Sequence, residues 1–410
     1  MYPNWYAANV FVDLHAGFYC FYGSVAQLAY GQLTLLFCLS GIGKSSDKRF
    51  VQELIHRIEL LGGIAPLVFL LMYVLGSALM LWRLSAMHQS GGTSGVLGLM
   101  LLPFATAFGN ILFAWYSAAH GGEAEGVVVS CLTNNLTGVL LLTGIVAFFW
   151  KLEVAKESGD GSGEKNQKSE GGDQKRVQKL WILTALIAIL FFTCLVWVIG
   201  IERGQGRSLL QPKSNTLQLS VSDALILLAT FIFWEIIYLI EALKVNKPEK
   251  QPVTWRLVLN ITLVLIGAVV CGEAAQWLIT YAFKGGVGVQ KGAPLGIVVG
   301  LITAIPNAMV AFYYGWKKKP EIVYGVQATD ANVCIPFCLV VFLLMGGKAI
   351  TLQTDMVLGG LIALLGGVIL QIMFLGSVGK IPRPIGALLI LMYFVGLGIL
   401  ATHAGLIKVQ

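Results

Sequence analysis

The sequence predicts an all-α polytopic membrane protein: ten core transmembrane helices arranged as two inverted five-helix repeats, with one extra N-terminal hydrophobic segment. Three observations predict this. Hydrophobic residues fill 57% of the 410 positions and charged residues only 12%, with mean hydropathy +0.78. A soluble chain carries about twice that share of charge. Apolar runs long enough to cross a bilayer recur along the chain, and two stretches 197 residues apart repeat one another. No segment alternates like a barrel strand, and a chain in lipid must satisfy its own backbone groups, so the spans are helices.

The elements follow in order. Ten runs lie at about 60–82, 95–117, 126–150, 180–201, 221–243, 257–282, 293–316, 323–346, 356–376 and 383–405. An earlier run, 17–43, is rich in Gly, Tyr and Phe and lacks a basic n-region. It reads as an extra span or an uncleaved signal anchor rather than a cleaved signal peptide. With the loop to residue 59 it forms the N-terminal segment 1–59. A first half covers 60–150 and 180–256, and a second covers 257–405. Between the parts of the first half lies the polar stretch 151–179, which is too short to build a soluble core. From Lys156 to Lys175 it is Gly/Ser/Glu/Lys-rich and nearly charge-balanced, as in a disordered linker. A water-exposed globular enzyme is therefore excluded.

Charge sets the expected orientation. The loops 83–94, 151–179, 244–256, 317–322 and 377–383 hold 17 Lys and Arg, and the opposite set holds 11. The first set is expected on the cytoplasmic side. The net charge of +7 is then loop charge facing a lipid surface, and no nucleic-acid partner is implied. The seven cysteines, at 20, 38, 131, 194, 271, 334 and 338, sit in apolar stretches without metal-ligand spacing and read as small hydrophobes.

The repeat sets 106–142 over 303–339. Eight of 37 positions are identical: Thr106/Thr303, Ala107/Ala304, Asn110/Asn307, Ala114/Ala311, Tyr116/Tyr313, Val129/Val326, Asn135/Asn332 and Leu142/Leu339. The polar intramembrane positions coincide. A Thr and an Asn four residues apart share one helix face, and a second Asn follows on the next helix. The units begin five spans apart, an odd number, so they enter the membrane in opposite directions. Inverted repeats of this kind build secondary transporters.

These residues resemble the calcium/cation antiporter superfamily, the sodium/calcium exchangers. Thr303, Pro306 and Asn307 lie over the family's T-S-L-P-E motif, and Thr106, Gly109 and Asn110 over its first copy. Thr133, Asn134 and Asn135, with Thr329, Asp330 and Asn332, lie over the polar part of G-S-N-I-F-N. Leu265, Gly267, Ala268 and Glu273 resemble the family's L-G-A-x-L-L-V-E-G-A stretch. The resemblance implies ten core helices in two inverted halves, with alpha-repeats here at 95–150 and 293–346. It also implies alternating access by rocking of the halves, with transported cations such as Ca2+ and Na+ as the only ligands and no chemical cofactor. The implied site residues are Thr106, Asn110, Asn135, Thr303, Asn307, Asp330, Asn332 and Glu273. Both glutamates that serve the family as main cation ligands are replaced here by Asn110 and Asn307. An amide offers an oxygen but no charge, whereas Ca2+ wants six to eight oxygens including carboxylates. Asp330 could return one negative charge, which suits Na+ or H+ exchange better than bare Ca2+.

Other readings stay open. The four asparagines could bond between helices as glue. Asp330, near the start of its run, could sit at an interface. Glu235 could serve a proton relay or a tertiary hydrogen bond. Gly109, Pro306, Pro103 and Pro336 interrupt their helices on this reading, either freeing carbonyls for a cation or merely kinking. The expected function is antiport of Ca2+ or another cation against Na+ or H+. The alternatives are a transport-inactive or regulatory protein on the same scaffold and, further off, an intramembrane lipid-acting enzyme, for which no nucleophile–base spacing is present. The expected partners are inorganic cations and the bilayer.

Overall fold

The computed structural model describes residues 62–89, 92–150, 153–154, 169–205, 216–245, 255–284, 292–346 and 349–406, with scattered positions between 53 and 60. The 17–43 segment and most of the 151–179 linker lie outside the described residues. The chain divides into two compact units, Met1–Val68 and Phe69–Gln410. In the first, a 3-10 turn at Gly62–Ile64 leads into the first long helix. The second holds everything discussed below.

Among the described residues ten helices are long and apolar enough to cross a membrane. They are α1 (Ala65–Gln89), α2 (Gly92–Ala119), α3 (Ala124–Trp150), α4 (Ser169–Gln205), α5 (Val221–Val245), α6 (Trp255–Phe283), α7 (Ala293–Trp316), α8 (Pro320–Gly346), α9 (Thr354–Val378) and α10 (Arg383–His403). Each covers one expected run. One boundary differs: α4 starts at Ser169, so the last part of the expected linker is helical. Gln174 to Lys179 are good helix formers, and they extend the apolar span without a break.

Burial separates an inner layer from an outer one. The spans of α3 and α8 are 78% buried and those of α2 and α7 are 61% buried, whereas α6 is 22% buried. The outer helices turn Leu71, Leu75, Ile187, Phe233 and Ile362 outward, the surface that lipid solvates. Arg83 lies over the Trp82 ring at 3.5 Å, and Lys317 sits near the rings of Tyr313 and Trp316, as basic and aromatic residues do at an interface.

Within the inner layer, α8 packs chiefly along α2 and α7 along α3. The repeat exchanges α2 with α7 and α3 with α8, so these are one contact formed twice. Small residues set the α3–α7 distance. Gly292, Gly296 and Gly300 form a stripe at four-residue spacing against Gly126 and Ser130. A Cβ on Gly300 would meet the Ser130 carbonyl oxygen at 2.6 Å, and one on Gly126 the Gly292 oxygen at 2.8 Å. Backbones approach this closely in membranes where small residues line the interface.

Of the expected helix interruptions, one is present. α7 breaks at Ala304, into Ala293–Thr303 and Ile305–Trp316, with Pro306 in the first turn of the second piece. Proline lacks an N–H and is accommodated at a helix start. Pro103 and Pro336 lie inside continuous helices, and Gly109 does not interrupt α2. An unexpected irregularity is a π-helical stretch, Leu136–Leu142, within α3. Its residue Val139 is the repeat counterpart of Pro336, at which α8 stays a continuous helix. The Gln371 side chain of α9 donates 2.8 Å to the Val139 carbonyl.

The halves are also joined at both ends. Strand β1 (Thr216–Leu219), between α4 and α5, pairs antiparallel with β2 (Ile350–Gln353), between α8 and α9. On the opposite side Glu153, after α3, bridges to Lys380, after α9, with the Lys380 Nζ–Glu153 Oε1 ion pair at 2.9 Å.

Candidate functional site

The break in α7 and the four inner helices place a polar cluster inside the bundle. Asp330 is its centre. It lies on α8, 1% exposed, so it is a deep residue and not an interfacial one. A carboxylate cannot be held there without donors, and the chain supplies them. Asp330 Oδ2 accepts from Asn134 Nδ2 of α3 at 2.8 Å and from Asn307 Nδ2 of α7 at 2.8 Å. The thiol of Cys334, one turn along α8, points at the same oxygen from 3.8 Å. The Thr106 hydroxyl of α2 donates 2.9 Å to the Pro103 carbonyl and lies beside the carboxylate. Asp330 Oδ1 has no partner among the described residues, nor do Asn134 Oδ1 and Asn307 Oδ1.

A second node surrounds Asn110 of α2. Its Oδ1 accepts from Ser130 Oγ of α3 at 3.0 Å and Thr303 Oγ1 of α7 at 2.9 Å. Gly109 makes this possible, since a Cβ there would meet Tyr73 Oη at 2.5 Å and Thr303 Cγ2 at 2.7 Å. Cys334 Sγ joins the nodes, accepting from Asn110 Nδ2 at 3.6 Å and Asn134 Nδ2 at 3.3 Å. Just past the break in α7, Gln327 Nε2 donates 3.0 Å to the Asn307 carbonyl.

Five residues expected from the sequence therefore meet in one network: Thr106, Asn110, Thr303, Asn307 and Asp330. Three do not. Asn332 donates 2.9 Å to the Ala185 carbonyl of α4. It tethers a peripheral helix and points away from the cluster. Its repeat counterpart Asn135 is buried with neither amide atom bonded among the described residues; the neighbouring Asn134 takes the place at Asp330. Glu273, expected to add charge, lies on the exposed face of α6, because Cys271, Ala274 and Ala275 are the buried positions of that turn. Conversely, Ser130, Gln327 and Cys334 belong to the network although nothing in the sequence marks them, and Asn134 belongs to it although the resemblance implies its motif neighbour Asn135 as the site residue. Cys334 is no mere space-filler, although Cys131, Cys271 and Cys338 are buried as expected. Cys194 is exposed on α4, outward like its apolar neighbours. Glu235 lies between Phe231 and Tyr238 on the bundle side of α5, half-buried.

The arrangement presents one carboxylate, four amides and several hydroxyls from four helices of two inverted repeats. It is an oxygen-rich site of formal charge −1 in the middle of a multi-pass integral membrane protein. Among the described residues no group of His, Cys, Asp and Glu has the spacing of a resident metal centre.

The arrangement resembles the inverted-repeat fold found in secondary transporters. The sodium/calcium exchanger protein family model matches residues 62–240. The chain also superposes on the sodium/calcium exchanger from Methanococcus jannaschii, with TM-score 0.52 and 19% identity over 80% of this chain and 94% of that one. Two structures of the same exchanger, NCX_Mj, soaked with Na+ and Sr2+, give TM-scores of 0.57 and 0.54 at 18% identity, covering 81% of this chain. No curated protein sequence matches. The resemblance to the calcium/cation antiporter superfamily is thus present in sequence across α1–α5 and in fold across the whole membrane region.

Proposed function

We propose that the chain is a cation antiporter that works by alternating access, with Asp330 as the ion-bearing group and a monovalent cation, Na+ or H+, as its favoured occupant. The observation that carries this is the network itself: one buried carboxylate bonded by amides from both repeats, at the level where α7 is broken. The likeness to an exchanger whose crystals were soaked with Na+, Sr2+ and Ca2+ supports the cation class.

Charge decides among cations. The cost of stripping water from an ion grows as the square of its charge, whereas its attraction to one carboxylate grows only linearly. A unit charge about 4 Å from a carboxylate gains about 4 kcal/mol at an effective dielectric near 20. A Ca2+ site with further acids would gain that amount again for each of them, and for each charge on the ion. With Asn110 and Asn307 contributing dipoles alone, a divalent ion retains a net positive charge in a low-dielectric interior. A monovalent ion is neutralised.

The test is transport by purified protein in sealed liposomes, following radiolabelled Na+ and Ca2+ in parallel with an internal pH dye. Uptake of Na+ driven by an opposing Na+ or H+ gradient, lost in Asp330→Asn, supports the proposal. Ca2+ uptake driven by Na+ and lost in the same variant supports the antiporter class but overturns the monovalent preference. No movement of any cation by folded, inserted protein leaves the transport-inactive scaffold.

A further inference from the structure

We infer that exchange by this carrier is not obligatory: the same site also supports net downhill cation flux without a counter-cation. The inference rests on the transport reading above and concerns how the site behaves between loads. An exchanger is held to one-for-one movement when its unloaded site cannot be closed inside the bundle, because bare carboxylates there have no partner once the ion leaves. Coupling is therefore only as tight as that penalty is large.

Here the chain carries its own substitutes for the ion. Asn134 and Asn307 both turn the N–H side of their amides to Asp330 Oδ2, each at 2.8 Å. They come from α3 of the first repeat and α7 of the second, so the clamp draws on both repeats. The same side chains have carbonyl oxygens without partners among the described residues, and an amide that turns over exchanges donor for acceptor at nearly the same place. One orientation presents oxygens to a cation, and the other presents N–H groups to the carboxylate. The second node behaves alike, since Asn110 Oδ1 is completed by the hydroxyls of Ser130 and Thr303, donors that can rotate away toward other acceptors. A glutamate at position 110 or 307 has no donor to turn inward when ionised, and adds a charge to be hidden. Asparagine at both positions thus removes two charges from the unloaded site and, at 307, supplies a donor to the one that remains. Asp330 Oδ1 stays open, so the clamp does not close the site to an incoming ion.

The experiment compares two arms of radiolabelled Na+ uptake into proteoliposomes, with voltage held at zero by K+ and valinomycin. In one arm the vesicles contain Na+; in the other they contain choline. An internal pH dye reports proton counterflow. The inference expects uptake into choline vesicles within about threefold of the Na+-loaded arm, without matching proton release. It further expects that Asn134→Ala with Asn307→Ala lowers the ratio of net uptake to exchange by about tenfold or more, because both donors are lost while Asp330 remains. A double variant that no longer folds is replaced by Asn307→Glu, for which the same fall in ratio is expected. Uptake that needs internal Na+, or that is matched by proton release, overturns the inference while leaving the antiporter reading intact. Absence of uptake in both arms, with no Na+-dependent rise in thermal stability, overturns both.

Discussion

At the scale of single residues, Asp330 differs from every other polar residue of the bundle in being a buried charge with donors from two other helices. Asp330→Asn keeps shape and hydrogen-bonding capacity and removes the charge. Losing about 4 kcal/mol of attraction lowers cation affinity by roughly a hundred- to a thousandfold, which Na+-dependent thermal stabilisation of the purified protein measures. Asn332→Ala gives the contrasting result. It removes the tie to Ala185, costs about 1 kcal/mol of stability, and leaves Na+ affinity within about twofold. Glu273→Gln, on the outward face of α6, leaves both quantities unchanged. Thr106, Asn110, Thr303 and Asn307 were legible because they recur in both repeats, and Asp330 because an acid within an apolar run is costly and marks a candidate site. The resemblance implies Asn135 at the site, whereas the structure turns Asn134 to Asp330, and the difference has a physical reason. Adjacent helical residues differ by about 100° in direction, and a helix that is apolar all round carries no amphipathic phase to say which way it turns. Ser130 and Cys334 were hidden for the same reason. Their role depends on which helix faces them, and the repeat does not match them: Ser130 stands opposite Gln327, and Cys334 opposite Thr137.

At the scale of elements, the ten spans were legible because twenty apolar residues in sequence have few other readings. The local breaks were not. Pro306 interrupts α7, yet Pro336 and Pro103 sit in continuous helices, since neighbouring helices can satisfy backbone groups that a proline frees. The π-helical stretch in α3 has no proline to announce it, and it is met by Gln371 from a helix far away in sequence. What holds the site's geometry is the small-residue seam between α3 and the first piece of α7. Gly300→Val drives its side chain into the Ser130 carbonyl and the Thr133 side chain. Overpacking of this kind costs about 1–3 kcal/mol, and it moves Thr303, three residues on, away from Asn110. Both a lower unfolding temperature and a weaker Na+-dependent stabilisation are expected. Gly376→Ala, with nothing within 4 Å of the added Cβ, changes neither, and a loss of stability in this control of the same size as in Gly300→Val would mean that helix glycines matter here for reasons other than the seam.

At the scale of the whole molecule, the two repeats are fastened together at both faces. The β1–β2 pairing joins the α4–α5 and α8–α9 connections, with Leu217 and Leu219 buried against Ile350 and Leu352. The Glu153–Lys380 bridge joins the α3–α4 and α9–α10 connections. The inverted repeat exchanges these two fastenings, just as it exchanges the α2–α8 and α3–α7 contacts. Rocking of one half against the other, the motion that the family resemblance implies, has to open one fastening each time the site changes sides. Four helices flank neither fastening, α1, α2, α6 and α7; α2 and α7 belong to the inner layer, which leaves α1 and α6 on the outside. They are also among the least buried, and they meet backbone to backbone where a Cβ on Gly76 would lie 2.7 Å from the Cys271 nitrogen. Motion of this pair against the remaining eight helices would leave both fastenings closed. A disulfide distinguishes the two motions. Gln218 and Thr351 are paired in the register of β1 and β2 and are exposed, so Gln218→Cys with Thr351→Cys locks that fastening shut. Movement of α1 and α6 predicts that oxidised protein transports Na+ within about twofold of reduced protein. Rocking of the halves predicts that oxidation stops transport and that a reducing agent restores it. The Glu153–Lys380 pair is exposed and worth at most about 1 kcal/mol, so Lys380→Ala alone leaves transport unchanged on either motion, and it is the covalent lock that decides.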